Sequence, residues 1–356
     1  LIAPPYIPVP PVRYGGTELF VAQLASGLKR QGVEVVVYAN GESHPDAELR
    51  FLYEKGDWPL PQELDVYKDI NHCAWAMRDA IETCDIMHLN SAPALALSRF
   101  LKEPMVYTIH HPHVPKLHDF YSYYPDAFYV AISDFQRKQH SLPICSTIYH
   151  GIDTAMYKLV EKKQQYLSFL GRIAPVKGAH TAIEVAKRTG IPLKLAGEVQ
   201  PIYKDYFETQ IKPHIDGKFI EYIGEADLAA KNELLGDSLA LLFPIHWDEP
   251  FGLVMVEAMA CGTPVLAFNG GSVPEIVRDG VSGYVCRDID DMVARAKSLS
   301  LPAAQVRAYA EQRFSVDRMA EEYARLYREI LSSDQRTHED IAQAARSNDD
   351  VENTAA

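Results

Sequence analysis

Short apolar runs bounded by turn residues alternate along the chain with longer stretches whose apolar side chains recur every three or four positions. The runs read as strands and the stretches as amphipathic helices, and their alternation is the pattern of a parallel sheet covered by helices on both faces. Strands are predicted at Val33–Ala39, Ile86–Leu89, Met105–Ile109, Phe128–Ile132, Ser146–Tyr149, Tyr166–Leu170, Leu193–Ala196, Leu239–Phe243, Pro264–Phe268 and Gly283–Cys286. The first long helix is predicted over Thr17–Arg30, where Phe20, Leu24 and Leu28 follow at four-residue steps and Gly32 closes the segment. Thr17 is its expected cap, with Glu18 in the first turn. The last helix is predicted from Ser315, its cap, to Leu331, with Met319, Tyr323, Leu326 and Ile330 along one face.

The rhythm breaks at "DTAMYKLVEKKQQ", Asp153 to Gln165, and then restarts, so this polar stretch is the expected linker between two α/β domains at 1–155 and 156–312. A chain of 356 residues with 47% apolar content is long enough to fill two such cores. Residues 333–356 are polar and acidic and are expected to form a mobile tail.

Charge narrows the partners. Acidic residues outnumber basic ones 48 to 35, a net charge of -13, which argues against nucleic acid as a ligand. No apolar run reaches the roughly 18 residues of a membrane span, and the first residues lack the charged start of a signal peptide. Five cysteines, an odd number without metal spacing, suit a reduced compartment, so the expectation is a soluble cytoplasmic protein.

Within that frame, "DEPFGLVMVEAMACGTPV" places Glu249 and Glu257 around a Phe-Gly turn that opens a helix. Spacing does not single them out, since Glu34 with Glu42, Glu225 with Glu233 and Glu321 with Glu329 share it. Context does: a strand, a loop and a helix follow in order. The free N–H groups near Gly252, Leu253 and Val254 then form an anion site suited to a diphosphate. Glu257, one turn further in, suits a ribose diol, and Glu249 suits sugar hydroxyls. The same glutamates also fit a plain helix, one favoured by the N-terminal dipole and one on an exposed face.

Other strand ends carry chemistry too. "YLSFLGRIAPVKG" sets Arg172 and Lys177 between Gly171 and Gly178, two cations suited to a diphosphate leaving group. It lacks Walker spacing, and the chain contains no Gly-x-Gly, so a dinucleotide fingerprint is absent. "YGGTE" puts Gly15 and Gly16 at the entry of the first helix, and "VYTIHHPH" ends a strand with His110, His111 and His113. Those histidines lack a carboxylate or cysteine at metal-ligand spacing, and no metal site is expected.

Taken together, GGTE at 15–18, TIHH at 108–111, AIS at 131–133, HGID at 150–153, GRIAPVKG at 171–178, EPFGLVMVE at 249–257 and GGSVPEIV at 270–277 resemble the family-four retaining glycosyltransferases, in order from residue 1 to about 331. The resemblance implies the GT-B fold, two Rossmann-like doubly wound domains facing across a cleft, with residues 313–332 crossing back to the first. It implies that a nucleotide sugar is the donor, UDP-sugar by family frequency, and that a carbohydrate or small hydroxyl compound is the acceptor. By motif, Arg172 and Lys177 bind the diphosphate, Glu257 the ribose, and Glu249 with the Phe251, Gly252 and Leu253 backbone the hexose. Gly16 approaches the phosphates, Gly224 lies in the loop framing the base, and His110 sits beside the transferred sugar. No metal or other cofactor is implied, and "DIDD" at 288–291 is expected to cap a helix. Acidic residues outnumber basic ones in 1–155, so strong membrane association is not expected. The stretch "FYSYYPDAFY" suits acceptor stacking or packing equally. A nucleotide-sugar epimerase, a sugar phosphorylase and a non-catalytic nucleotide-sugar binder are the competing readings.

Overall fold

The computed structural model describes residues 1–13, 15–57 and 65–332. The expected tail at 333–356 lies outside the described residues. The chain divides into two units, the first made of residues 1–11, 15–151 and the segment from Val316 onward, the second of 12–14 and 152–315.

The first unit contains β1 (Val36–Ala39), β2 (Glu48–Phe51), β3 (Met87–Leu89), β4 (Met105–Ile109), β5 (Phe128–Ala131) and β6 (Ile144–Thr147), with helices α1 (Gly16–Arg30), α2 (Val66–Thr83), α3 (Ala92–Ser98), α4 (Pro115–Ser122) and α5 (Asp134–Gln139). Strands β3 to β6 form one parallel sheet in sequence order, and β1 and β2 form a parallel pair. The chain start joins them. Ile2 bridges Tyr38 of β1 and Leu89 of β3, donating its N–H to the His88 carbonyl at 2.9 Å. Strand β4, Met-Val-Tyr-Thr-Ile, is buried at every position, as a parallel strand covered on both faces must be.

The second unit contains β7 (Leu167–Leu170), β8 (Leu193–Ala196), β9 (Ile220–Tyr222), β10 (Ala240–Phe243), β11 (Val265–Phe268) and β12 (Gly283–Cys286). Its helices are α6 (Ala179–Thr189), α7 (Lys204–Tyr206), α8 (Leu228–Gly236), α9 (Leu253–Ala260), α10 (Val273–Ile276), α11 (Ile289–Ser298) and α12 (Ala303–Phe314). The strands pair in parallel in the order β12-β11-β10-β7-β8-β9. Order therefore runs outward in both directions from adjacent β7 and β10, a topological switch point where α/β sheets bind ligands at their carboxyl ends.

The last helix, α13 (Val316–Ser332), belongs to the first unit. Its Val316, Met319, Ala320, Tyr323, Ala324 and Tyr327 share one core with Phe20, Val21, Leu24, Ala25 and Leu28 of α1. The helices cross so closely at Gly27 that an added Cβ would stand 2.6 Å from the Ala320 methyl. Behind this contact, His88 bonds the Tyr327 hydroxyl through Nδ1 at 2.6 Å and Thr108 through Nε2 at 2.8 Å.

Four expectations change. Strands β2 and β9 were not legible because neither is an apolar run: β2, Glu-Leu-Arg-Phe, is exposed or half-buried throughout, and β9, Ile-Glu-Tyr, fully buries only its first residue. Strand β6 begins two residues before the predicted one and ends two earlier. Helix α1 starts at Gly16, with Gly15 before it and no side-chain cap, so Thr17 lies inside the first turn and is not its cap. Asp153–Gln165 is not a free linker: Lys163 donates to Gly236 O, Cys261 O and Thr263 Oγ1, all within the second unit, and Tyr157 is buried there. Ser315 takes extended backbone before α13, and Asp288 caps α11 through the Asp291 N–H at 2.8 Å. The aromatic stretch from Phe120 is largely packing, since Tyr121 and Tyr129 are buried against Tyr107.

Candidate active site

In the second unit, the loops leaving β7 and β10 meet at the switch point. After β7, Gly171 and Arg172 lead into a 3-10 turn at Pro175–Lys177, and Gly178 turns the chain into α6. Gly178 has φ 78°, and a Cβ there would collide with Pro244 O at 1.9 Å, so the β7 loop rests on the β10 loop only if this residue is glycine. The His246 N–H donates to Val176 O at 2.8 Å and fastens the same pair of loops.

This contact brings Lys177 to Glu249. Lys177 Nζ donates to Glu249 Oε2 at 2.6 Å, and Trp247 Nε1–H donates to the same oxygen at 2.9 Å. The ammonium also lies 4.3 Å from the Trp247 ring centre. Burial pulls the lysine pKa below its ordinary value, Glu249 opposes that shift and Arg172 adds to it. The Arg172 guanidinium makes no ion pair within 4 Å among the described residues; its side-chain hydrogen bond there is to Gln200 Oε1 at 3.5 Å.

Helix α9 opens beside this pair. Gly252, at φ 85°, precedes it, and a Cβ there would stand 2.6 Å from Met255 Cε and 3.3 Å from Glu249 Cγ. The first N–H groups of the helix have no intrahelical acceptor and carry its positive dipole end. Leu253 is the first helical residue. Phe251 turns inward, edge-to-face with Phe314, and its carbonyl accepts from Ser272 Oγ at 2.9 Å, so its side chain is withdrawn from any ligand. Ser272 N–H also donates to Glu249 O at 2.9 Å, and Gly271 N–H to Asp248 Oδ1 at 3.2 Å. The GGSVPEIV segment is thus a brace for the β10 loop.

Glu257 is buried one turn into α9, where Oε1 accepts from the Tyr157 hydroxyl at 2.8 Å and from Lys231 Nζ at 2.9 Å. Glu249 Oε1 and Glu257 Oε2 carry no protein hydrogen bond among the described residues. Each carboxylate therefore has one oxygen locked and one left for another donor. Sequence reasoning missed Tyr157 and Lys231, which reach Glu257 from distant segments. It also missed Glu198, after β8, whose pKa is raised by burial and by Glu225 and opposed by Arg172. Gly224, φ 79°, follows β9, and its carbonyl accepts from the Gly197 N–H at 2.8 Å.

In the first unit, Gly16 opens α1, and a Cβ there would meet no atom within 4 Å, so packing does not demand the glycine. Glu18 is buried in the same turn, and desolvation raises its pKa to about 7. His110 follows β4. Asn90 Nδ2 donates to Ile2 O at 3.2 Å, which turns Asn90 Oδ1 toward His110 Nε2 at 2.9 Å. The histidine therefore donates through Nε2, and burial, aided by His150, His111 and His88, holds its pKa well below the ordinary value. Its ring stacks on His150 and meets Phe20 edge-on. His113 parts from His110 and joins two histidines that sequence reasoning did not connect with it, His118 and His140.

Two parallel-sheet units of this kind, the second with an anion-ready helix start and paired cations at its switch point, define a GT-B glycosyltransferase. Comparison with known proteins agrees. A family model described as Glycosyltransferase Family 4 matches residues 14–155, and one described as Glycosyl transferases group 1 matches 153–302. The chain belongs to the family-four, group 1 glycosyltransferases. It is 28% identical to a protein named glycogen synthase from Mycobacterium tuberculosis (strain CDC 1551 / Oshkosh), over 86% of this chain and 88% of the relative. Among solved structures, AviGT4, a glycosyltransferase involved in avilamycin A biosynthesis, superposes with TM-score 0.69 at 24% identity, over 93% of this chain and 97% of that one. Anabaena HepE in complex with UDP and glucose superposes with TM-score 0.71 at 19% identity, over 88% and 96%. No helix among the described residues is long and apolar enough to cross a membrane.

Proposed function

We propose that the protein transfers a hexose with retention of configuration from a nucleotide sugar, UDP-sugar foremost, to a carbohydrate or small hydroxyl acceptor. The observation that carries this reading is the meeting of the Arg172–Lys177 loop with the start of α9 at the β7/β10 switch point. The donor diphosphate binds there. Lys177 has three N–H donors and spends one on Glu249, leaving the others for phosphate oxygens; Arg172 supplies a fork of further donors. The α9 amides complete the anion site. Glu257 Oε2 accepts from the ribose diol, Glu249 Oε1 from hexose hydroxyls, and Gly224 frames the base.

As the glycosidic C–O bond breaks, charge develops on the diphosphate, and fixed cations and amides stabilise it without reorganising. The acceptor oxygen attacks the same face of the sugar, and its proton passes to the departing phosphate oxygen. We assign His110, held neutral, to hydrogen bonding beside the transferred sugar, and Gly16 to leaving room for phosphate. Because side chains and amides meet the diphosphate charge, this reaction proceeds without a metal ion.

The test is donor turnover. Purified protein is offered UDP- and GDP-hexoses with and without an acceptor panel that includes α-glucan, the class suggested by the relative named glycogen synthase. Acceptor-dependent nucleotide release with an α-configured product, lost in Lys177→Ala, supports the reading. Acceptor-independent donor isomerisation, or a requirement for inorganic phosphate, overturns it.

A further inference from the structure

Three histidines from separate elements of the first unit converge. His113 lies on the loop leaving β4, His118 on the first turns of α4, and His140 directly after α5. Their ring centres form a nearly equilateral triangle, 5.2 Å from His113 to His118, 5.1 Å from His113 to His140 and 5.3 Å from His118 to His140. One ligand nitrogen of each lies within 4.8 Å of the other two. The rings meet tilted or edge-on, and each brings into the cluster a polar edge that needs a partner.

The nitrogens are already near ligand geometry. His118 Nδ1 and His140 Nδ1 are 3.1 Å apart, while two nitrogens bound to one tetrahedral zinc at 2.0–2.1 Å stand about 3.4 Å apart. On its far side, His118 Nε2 meets Ser141 Oγ at 2.9 Å. A proton held there directs the Nδ1 lone pair inward, the arrangement by which an outer partner orients a metal-binding histidine. His140 faces the cluster through Nδ1, and its enclosed Nε2 has no hydrogen-bond partner among the described residues. The loop that carries His113 is tethered nearby, with Gln136 Nε2 donating to Ile109 O at 2.9 Å and to His111 O at 2.8 Å. His113 itself is exposed.

We propose that His113, His118 and His140 form a three-imidazole site for one late first-row divalent cation, zinc foremost, with a fourth position open to water. Neutral imidazoles without carboxylates favour zinc, copper, nickel or cobalt over magnesium or calcium. The ion fastens the β4 loop to α4 and to the end of α5. Its three ligands are distinct from the Arg172, Lys177 and α9 groups assigned to the diphosphate, and the role assigned to the ion is structural.

The experiment uses the full chain, free of any affinity tag and stripped by chelator, titrated with Zn2+ alone by calorimetry and with Co2+ followed by visible absorption. One Zn2+ binds per chain, and Co2+ gives the d–d bands of a tetrahedral nitrogen site. Ser141→Ala weakens Zn2+ binding about tenfold, and loss of a ligand in His118→Ala weakens it more than about 100-fold. His113→Ala, on an exposed loop, keeps the fold and weakens binding comparably, while the exposed His44→Ala leaves it unchanged. Equal Zn2+ affinity in the wild type and in a folded His113→Ala, His118→Ala double variant overturns the proposal and leaves a hydrogen-bonded histidine pair.

Discussion

Lys177 Nζ and Glu249 Oε2 stand 2.6 Å apart, and the shared oxygen also takes the Trp247 indole N–H. Both side chains are largely buried, 14% and 8% exposed. Removing either partner leaves a charge without compensation, which is costly in a buried setting. Lys177→Ala is expected to lower sugar transfer by about 10²–10³, the range for losing a preorganised donor at developing charge. A double-mutant cycle with Glu249→Gln, read from kcat/KM, should be strongly non-additive, since the two act as one unit. Additive losses would count against a coupled site.

Tyr157 and Lys231 hold Glu257 from one side. Tyr157→Phe removes one charge-assisted hydrogen bond, worth about 1.5–3 kcal/mol, and lets the carboxylate rotate. The expected result is roughly tenfold or greater weakening of UDP binding with little change in kcat at saturating donor. Equilibrium titration with UDP measures it, and unaltered UDP affinity would remove Glu257 from the nucleoside site.

Glu18 gives a stability signature with a definite sign. Its folded pKa is raised to about 7 from an ordinary 4.5, so between those values the folded state binds the extra proton. The stabilisation from this group is fully present below about 4.5 and is lost as pH rises through 7, a change on the order of 3 kcal/mol. Glu18→Gln should abolish that slope. Melting temperatures of the two proteins from pH 5 to 8.5 should diverge toward alkaline pH, with the variant more stable.

Gly27 and Ala320 set the spacing of α1 and α13. Gly27→Val forces an isopropyl group into that contact and is expected to cost about 1–3 kcal/mol or more. Ala320→Gly in the same chain should recover part of it. Denaturant unfolding of the single and double variants checks both.

Chelator treatment separates the two proposed sites. Turnover at saturating donor should be unchanged, while the melting temperature of zinc-loaded protein falls to that of the metal-free chain. Loss of turnover at unchanged melting temperature would point to a metal in the transfer step.

Central strands were legible because burial on both faces demands consecutive apolar residues, as in "LSFL" of β7 and "ALLF" of β10. Strands β2 and β9 escaped because their charged and half-buried positions leave no apolar run, and the role of Ile2 between β1 and β3 escaped because a single bridging residue leaves no period. Lys177, Glu249 and Gly252 could be picked out as candidates because each lies on a loop that leaves a strand, where turn chemistry marks the place. Tyr157, Lys231 and the His113, His118 and His140 group could not, since only tertiary folding brings their segments together.

Helix α13 completes the first unit from across the whole of residues 152–315. A ribosome working from the amino end releases nearly all of the second unit before α13 emerges. Until then Phe20, Leu24 and Leu28 lack the helix that covers them in the finished protein. The hydrophobic core of the first unit is therefore closed only once the last helix of the described chain has been made.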